Sequence, residues 1–375
     1  MKTRAAVLHE MHLQRPYTQS LPLKIEEVEL DPPGSREVLI KVKAAGLCHS
    51  DLSVIDGNRP RPLPMVLGHE AAGVIEQVGE GVTQYAVGDH VVFSFLPSCG
   101  HCVNCQSGRP ALCANGAKAN GEGVLLGGHR RIKKDGKYYF HHLGVSGFAD
   151  YTVASVDSLV KIDKTIPFEI AALFGCAVMT GMGAVVNTSK VKAGDSVLVV
   201  GLGGVGLSAI LGANAAGASK VIAADISEYK RNSALEFGAH EVVNSADADA
   251  LKNLKANNDG GVDISVEFAG VVPALEFAYN ATKRGGTTVT GALPHPDARL
   301  SLSPLALVAD EKSLKGCYLG SCVPIRDIPA YLKLYQTGRL PVEKLITHRL
   351  KLEDINEGFE RLAAGEAIRQ VIIFD

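Results

Sequence analysis

The chain has 375 residues, 46% of them apolar and 21% charged, with a formal net charge of −2. This length exceeds what one hydrophobic core usually serves, so it predicts two domains. The near-neutral charge excludes the basic footprint of a nucleic-acid-binding protein, and no apolar run approaches the roughly 18 residues of a membrane span. We therefore expect neither a nucleic-acid partner nor a membrane partner.

The N-terminal segment "MKTRAAVLHEM" has no apolar core and no cleavage site of the kind found in signal peptides. We therefore expect a cytoplasmic protein whose thiols stay reduced. In that setting a metal ion explains clustered cysteines better than disulfides do.

The first periodic region, residues 37–92, alternates short β-branched runs with Gly and Asp turn signals. The runs are "EVLIKVKAAG", "GVIEQVG" and "GDHVVF". Closely spaced strands of this kind predict a small β-rich domain.

The next feature is a loop with four thiols, "CGHCVNCQSGRPALC". Gly100, Gly108 and Pro110 supply the turns that so short a loop needs to fold around an ion. Four thiolates close a tetrahedral site with no open position, which predicts a zinc ion in a structural role. The ligands of this site would be Cys99, Cys102, Cys105 and Cys113.

After about Met179 the pattern changes to buried strands separated by amphipathic segments of helical length, for example "DSVLVVGLGGVGLSAILGANAAG" and "VDISVEFAG". This βαβ series predicts an α/β domain with a doubly wound parallel sheet.

The first of these strands runs into Gly201, Gly203 and Gly206, in G-x-G-x-x-G spacing. The strand "KVIAAD" ends in Asp225, 19 residues after the last glycine, where a carboxylate would bind the adenosine ribose. A tight turn in an unrelated α/β sheet is the alternative. Asp225 would repel a 2′-phosphate and no arginine follows it directly, which favours NAD over NADP.

From about Gly320 the pattern becomes mixed, with two helical segments before the terminal apolar run "IRQVIIFD". We expect this stretch to rejoin the first domain. The predicted division is residues 1–178 and 320–375 for the β-rich domain, and 179–319 for the nucleotide-binding domain.

Outside these regions, "GLCHSD" offers Cys48, "LGHEAAG" offers His69 and Glu70, and "FGCAVMTG" offers Cys176. Two cysteines and a histidine could hold a second zinc with one coordination position free. From spacing alone, such a residue is more often an ordinary core residue.

The motifs "GLCHSD", "LGHEAAG", the four-cysteine loop, "GCAVMTG" and "GLGGVG", in this order, make the chain resemble the zinc-dependent medium-chain alcohol dehydrogenases, closer to the liver type than to the yeast type. The resemblance covers essentially the whole chain. It implies a GroES-like catalytic domain with two zinc sites and a Rossmann domain inserted into it. It further implies NAD-dependent interconversion of primary alcohols and aldehydes.

The resemblance also implies roles for residues of the catalytic site. Ser50 would accept the substrate proton, or else make a local turn hydrogen bond. Asp51 would orient a histidine ligand, and Glu70 would lie behind the metal, although either could instead belong to an ordinary ion pair. The catalytic zinc would be held by Cys48, His69 and Cys176.

For the cofactor, the resemblance implies pyrophosphate contacts from His49 and Arg369. Val205 belongs to the glycine turn that approaches the dinucleotide. Lys230 could reach the ribose, although long basic side chains are often only solvated surface.

The chain departs from the liver-type pattern at Ser53, where a histidine often completes the proton relay. We expect the relay to pass instead through the cofactor ribose to water or another base. Phe95 would form a pocket wall. Yeast-type members of the family narrow this pocket with tryptophans and this chain has no Trp, so the resemblance implies a pocket wide enough for medium-chain or aromatic alcohols. Arg59, near the pocket mouth, would favour substrates with a remote negative group, unless it is a solvated loop residue.

Two rival functions remain open. A glutathione-dependent formaldehyde dehydrogenase would be expected to carry an acid where Arg59 stands. A non-catalytic zinc-ribbon interaction module is opposed by the dinucleotide fingerprint. The long segment after Cys113 resembles the liver-type loop and favours a dimer over a tetramer. The Rossmann edge strands, expected at "GTTVTGAL" and "SLKGCYLG", are candidate dimer contacts.

Overall fold

The computed structural model describes residues 1–375, which form nineteen strands and thirteen α-helices. The strands are β1 (Lys2–Leu8), β2 (Leu23–Leu30), β3 (Glu37–Gly46), β4 (Met65–Val66), β5 (Glu70–Val78), β6 (His90–Phe93), β7 (Ile132–Lys134), β8 (Lys137–Tyr138), β9 (Phe140–His141), β10 (Tyr151–Ser155), β11 (Leu159–Lys161), β12 (Ser196–Val200), β13 (Lys220–Ala224), β14 (Glu241–Val243), β15 (Val262–Glu267), β16 (Thr282–Thr290), β17 (Ser313–Gly316), β18 (Ile346–Leu350) and β19 (Arg369–Ile373). The helices are α1 (Tyr17–Ser20), α2 (His49–Ile55), α3 (Val103–Gln106), α4 (Ala114–Glu122), α5 (Phe168–Leu173), α6 (Ala177–Gly183), α7 (Gly204–Ala216), α8 (Glu228–Glu236), α9 (Ala250–Ala256), α10 (Val272–Ala281), α11 (Pro304–Ala309), α12 (Pro324–Gln336) and α13 (Ile355–Ala364).

The chain divides into two compact units. The first unit comprises Met1–Cys176, Val323–Ala330 and Ile346–Asp375, and the second comprises Ala177–Cys322 and Tyr331–Leu345. The second unit thus takes in residues 331–345, which the predicted division places in the β-rich domain. None of the helices is both long enough and apolar enough to span a bilayer.

Two sheets build the first unit. A six-stranded sheet has the order β8-β7-β2-β1-β4-β9, and a seven-stranded sheet has the order β11-β6-β5-β3-β19-β18, with β10 also paired to β3. The strands predicted between residues 37 and 92 are confirmed as β3, β5 and β6. The C-terminal strand β19 runs antiparallel to β3, so the end of the chain completes the sheet that the N-terminal region begins.

A short parallel pairing in the six-stranded sheet brings two distant segments together. Strand β4 pairs with β9, with Val66 opposite His141. The segments that follow these strands are also joined, because Phe148 donates its backbone N–H to Leu67 (3.1 Å) and Gly147 donates to Gly68 (2.9 Å). Residues just after β4 and just after β9 therefore lie side by side.

The second unit contains one six-stranded sheet, which is parallel throughout. Its order, β14-β13-β12-β15-β16-β17, is the 3-2-1-4-5-6 order of the dinucleotide-binding fold. The prediction of edge strands is confirmed for "SLKGCYLG", which contains β17. It is wrong for "GTTVTGAL", because β16 pairs with β15 on one side and β17 on the other.

Apolar side chains from strands and helices form the core of the second unit. Strand residues turn one set of side chains towards the helices that follow them, and β-branched residues suit these buried, pleated positions. The buried cluster consists of Leu198, Val200, Ile222, Ala224, Leu254, Val262, Ala278 and Ala281.

Candidate active site and cofactor site

Three residues from separate parts of the first unit meet in one buried cluster. Cys48 is the N-cap of α2, His69 lies between β4 and β5, and Cys176 directly precedes α6. One ligand atom from each lies within 4.8 Å of the others. Their side chains are 8%, 1% and 6% exposed, respectively. Two sulfurs and an imidazole nitrogen form a donor set that zinc takes in catalytic sites.

A fully buried carboxylate lies behind this cluster. Asp51 Oδ1 is 3.0 Å from His69 Nδ1 and accepts the Gly68 backbone N–H at 3.2 Å. Its Oδ2 accepts the N–H of Cys48 at 3.3 Å, in the capping box that begins α2. Gly68 adopts φ +93°, and a side chain there would collide with the Phe148 backbone. A helix start and a glycine turn thus orient His69 through one carboxylate.

The electrostatics of the cluster suit a cation. Hydrogen bonding between the two thiols lowers the pKa of Cys48 well below its usual range and raises the pKa of Cys176 well above it. Burial acts to lower the pKa of His69, but Asp51 and Cys48 hold it well above its ordinary value. The buried Nε2 of His69 has no hydrogen-bond partner. Cysteine sulfurs and an imidazole nitrogen bind a metal ion once their protons are released, so these residues fit zinc.

Glu70 and Arg369 form a second buried pair beside the cluster. Arg369 Nη2 lies 3.5 Å from Glu70 Oε2, and Arg369 Nη1 donates to the Leu47 carbonyl at 3.0 Å. Burial raises the pKa of Glu70 to about 7, although the charge of Arg369 opposes this. Neither carboxylate oxygen of Glu70 has a hydrogen-bond partner. The structure thus places Arg369 against Glu70, while its contact with a cofactor pyrophosphate stays a prediction.

The predicted substrate-side residues have different surroundings. The ring of Phe95 packs edge-to-face against His69, with centroids 5.5 Å apart. Ser50 is partly exposed and His49 is exposed on the first turn of α2. Ser53 donates its hydroxyl to the His49 carbonyl at 2.8 Å, one turn earlier in the helix. Arg59 is partly exposed and donates its backbone N–H to Ser53 at 2.7 Å.

The four predicted thiols of the cysteine loop also meet. Their sulfurs lie within 4.8 Å of one another, and Gly100 and Gly108 make the predicted turns with φ of +79° and +76°. Cys113 is buried and accepts the backbone N–H of Cys99 at 3.3 Å. A backbone hydrogen bond from Cys105 lowers the pKa of Cys102 to about 6. This closed set of four sulfurs could hold a zinc ion without an open position.

The glycine turn of the second unit has the geometry of a phosphate cradle. Strand β12 ends at Val200, and Gly201 follows with φ +88°. A Cβ on Gly206 would collide with the Gly201 carbonyl, whereas one on Gly203 would meet nothing within 4 Å. Val205, on the first turn of α7, is partly exposed. Open space in front of a helix N-terminus lets a pyrophosphate approach the backbone.

The carboxylate predicted to bind the ribose lies beside this turn. Parallel pairing of β12 and β13 brings Asp225 next to it, and Asp225 accepts the N–H of Leu202 at 2.8 Å and of Ser227 at 2.9 Å. Lys230 is partly exposed on the first turn of α8. The sequence motifs do not predict a role for Arg231. Its side chain donates to the Asp225 carbonyl at 3.0 Å and so stabilises the loop after β13.

Sequence reasoning also misses His142. This histidine is 1% exposed, and its Nδ1 lies 3.1 Å from Asp51 Oδ1. It follows His141 in a segment where no spacing pattern points to chemistry. The only available signal is the pair "HH" in an otherwise apolar run.

Comparison with known proteins agrees with this arrangement. The sequence profile of the alcohol dehydrogenase GroES-like domain matches residues 34–164, and that of the zinc-binding dehydrogenase domain matches residues 204–337. An NDMA-dependent alcohol dehydrogenase of Amycolatopsis methanolica is 42% identical over 384 residues, which cover 100% of this chain and 99% of that one. A class-3 alcohol dehydrogenase of Drosophila melanogaster is 40% identical, with 94% of each chain covered.

Among solved structures, benzyl alcohol dehydrogenase from Acinetobacter calcoaceticus superimposes with a TM-score of 0.93 at 32% identity, and the comparison covers 100% of both chains. Identity above 30% over complete chains, two matching domain profiles and the same motifs in the same order lead to one conclusion. The chain belongs to the zinc-dependent medium-chain alcohol dehydrogenase family, whose members are oxidoreductases.

Proposed function

We propose that this enzyme interconverts primary alcohols and aldehydes, uses NAD as the hydride carrier and binds two zinc ions per chain. The observation that carries the proposal is the buried cluster of Cys48, His69 and Cys176, with His69 oriented by Asp51 and its Nε2 left without a hydrogen-bond partner. A purely structural module has no need of a desolvated three-ligand set.

The chain's own residues have separate tasks in this reaction. The three residues of the cluster would hold the catalytic zinc, which supplies Lewis-acid chemistry that lowers the pKa of an alcohol. Ser50, partly exposed and two positions after Cys48, accepts the hydroxyl proton. Ser53, unlike a histidine, has no side chain that exchanges protons near neutral pH, so a bound cofactor would have to supply the route of the proton to water through its ribose. Asp51 keeps His69 oriented, and Glu70 with Arg369 adjusts the charge behind the cluster.

For the cofactor, the glycine turn with Val205 would cradle the pyrophosphate, and NAD accepts the hydride when bound. Asp225 would bind the adenosine ribose with help from Lys230, while His49 and Arg369 would contact the pyrophosphate. The hydrogen bonds from Leu202 and Ser227 hold the Asp225 carboxylate in place before any ligand arrives, which supports its use as a ribose acceptor.

Replacing Asp225 by serine should change cofactor preference. Removing the carboxylate abolishes its repulsion of a 2′-phosphate and also its hydrogen bonds to the ribose hydroxyls. We expect kcat/KM for NAD⁺ to fall about tenfold to a hundredfold and that for NADP⁺ to rise. Steady-state kinetics with both cofactors check this. Asp247→Ser, which alters an exposed acid of the same unit, is the control and should change neither value. An unchanged NAD⁺ preference in Asp225→Ser would refute the assignment.

For the substrate, we propose medium-chain or aromatic alcohols. Phe95 provides an apolar wall against His69, and no tryptophan can narrow the pocket. Similarity to a benzyl alcohol dehydrogenase supports an aromatic substrate. Arg59 would favour a remote negative group at the pocket mouth. The 42% identical relative is named an NDMA-dependent alcohol dehydrogenase, which makes NDMA a second compound worth testing beside NAD⁺.

The experiment that tests the function combines zinc analysis with NAD⁺ reduction on ethanol, hexanol and benzyl alcohol. We expect two zincs per chain and a kcat/KM that rises towards the larger alcohols. NDMA is added in a parallel assay, and formaldehyde with glutathione tests the glutathione-dependent alternative. One zinc per chain with no turnover of any alcohol would refute the proposal and favour a zinc-ribbon interaction module.

We further propose the larger-scale properties expected from the sequence. The catalytic domain would comprise residues 1–178 and 320–375, and the NAD-binding domain would comprise 179–319. The protein would be a cytoplasmic dimer, joined at β17, the edge strand of the parallel sheet. Light scattering of the purified protein measures the oligomeric state directly.

A further inference from the structure

His142 is a buried histidine whose only ionic partner is the carboxylate behind the proposed catalytic zinc site. Its Nδ1 lies 3.1 Å from Asp51 Oδ1, the same oxygen that faces His69 Nδ1 at 3.0 Å. We infer that His142 is a positioning residue, which shares Asp51 with His69 and thereby fixes the orientation of a zinc ligand. This inference rests on the proposed function.

The fold holds His142 firmly in this place. It follows β9, which pairs with β4, so it lies beside the segment that carries His69. Its backbone N–H donates to the hydroxyl of Ser146 at 3.0 Å, and its carbonyl accepts the N–H of Val145 at 3.0 Å. The two imidazole rings pack edge-to-face, with centroids 5.6 Å apart. The backbone of His142 is therefore held close to Asp51 and His69.

His142 interacts with the negative charge of the Asp51 carboxylate and does not form a well-aligned hydrogen bond to one of its oxygens. Asp51 Oδ1 already accepts the Gly68 N–H at 3.2 Å in addition to facing His69. His142 Nδ1 is close to this oxygen but is not in line for a hydrogen bond, and it has no other hydrogen-bond partner. A third polar hydrogen beside this carboxylate still stabilises it, because Asp51 is fully buried and so shielded from bulk solvent.

These distances argue against a second metal at Asp51, His69 and His142. The 3.0 Å separation of His69 Nδ1 from Asp51 Oδ1 is a hydrogen-bonding distance, and both oxygens of Asp51 already accept backbone N–H groups. The cluster is better suited to restrain a carboxylate than to surround an ion. Its effect on the catalytic zinc therefore passes through His69.

The test compares His142→Leu with His142→Asn. Leucine fills similar space without a polar hydrogen, whereas the asparagine amide can place an N–H near the position of Nδ1. His141→Leu is the matched control, since His141 is also fully buried but accepts the Arg131 N–H and has no contact with Asp51. The probe is a chromogenic chelator that reports the release of each zinc ion from the purified enzyme.

We expect His142→Leu to release one of the two zinc ions about tenfold faster, while the ion of the four-cysteine loop is released at the wild-type rate. His142→Asn should stay within about twofold of wild type. With cobalt in place of the catalytic zinc, the visible absorption bands should shift in His142→Leu and not in His141→Leu, because a ligand changes its orientation only in the former.

The zinc-release rates of the variants decide whether the inference about His142 holds. Unchanged release in His142→Leu, or equally fast release from His141→Leu, would overturn the inference and leave His142 as a packing residue. Faster loss of both zinc ions together would also overturn it, since that indicates general destabilisation. Wild-type protein with a single zinc would instead overturn the proposed function.

Discussion

Replacing Cys176 by serine is expected to remove one of the two proposed zinc ions and to lower kcat/KM at least about a thousandfold. The cluster supplies only three ligand atoms, so the loss of one thiolate leaves two protein ligands for the ion. Loss of the Lewis acid removes several kcal/mol of transition-state stabilisation. Each 1.4 kcal/mol corresponds to about a tenfold change in rate. Elemental analysis and kinetics with benzyl alcohol measure both effects.

Cys317→Ser is the matched control for this prediction. Cys317 is also buried, but it belongs to neither thiol cluster. We expect this variant to keep both zinc ions and to retain kcat/KM within about twofold. If Cys176→Ser keeps two zincs and wild-type turnover, Cys176 is not a ligand and the proposed mechanism is wrong.

Cys102→Ser should have the opposite effect from Cys176→Ser. It should lower the thermal stability of the protein before it affects the catalysed reaction. The loop from Cys99 to Cys113 contains the short helix α3, none of whose residues is buried, and one 3-10 turn at Pro110–Leu112. Its ordering depends on the four sulfurs, so removing one should release the ion and lower Tm by about 5–10 °C. The remaining folded protein should keep most of its kcat, because none of these sulfurs is a ligand of the catalytic cluster.

Val103→Ser serves as the control in the same loop. The side chain of Val103 is 82% exposed, so its replacement should leave zinc content and Tm unchanged. Calorimetry and zinc analysis of both variants make the comparison, and light scattering shows whether assembly is disturbed. Lost turnover in Cys102→Ser at normal Tm would contradict a structural role for the loop.

Local patterns were sufficient for much of the fold. The alternation in "EVLIKVKAAG" predicts β3, and the run "VLVVGLGGVGLSA" predicts β12, its glycine turn and α7. Four cysteines within one short loop can reach one another whatever the rest of the chain does. In each case the residues that cooperate are close in the chain, so spacing carries the information.

The dispersed cluster of three candidate ligands could be predicted only in part from the sequence. Cys48, His69 and Cys176 come from three distant segments, and from spacing alone such residues are more often ordinary core. Resemblance to a family singles them out, and the structure brings their ligand atoms within 4.8 Å. The motifs therefore predicted which residues meet, but not how a helix N-cap and a glycine turn hold them in register.

Other contacts followed from tertiary structure alone. His142 lies next to Asp51 because β9 pairs with β4, and Arg369 lies against Glu70 because β19 pairs with β3. Strand pairing between distant segments leaves no local periodicity, and a one-residue change of register would turn these side chains to the opposite face. The chain's local chemistry thus determines its elements and the grouping of the four loop cysteines, whereas the pairing of remote strands decides which charges surround the dispersed cluster.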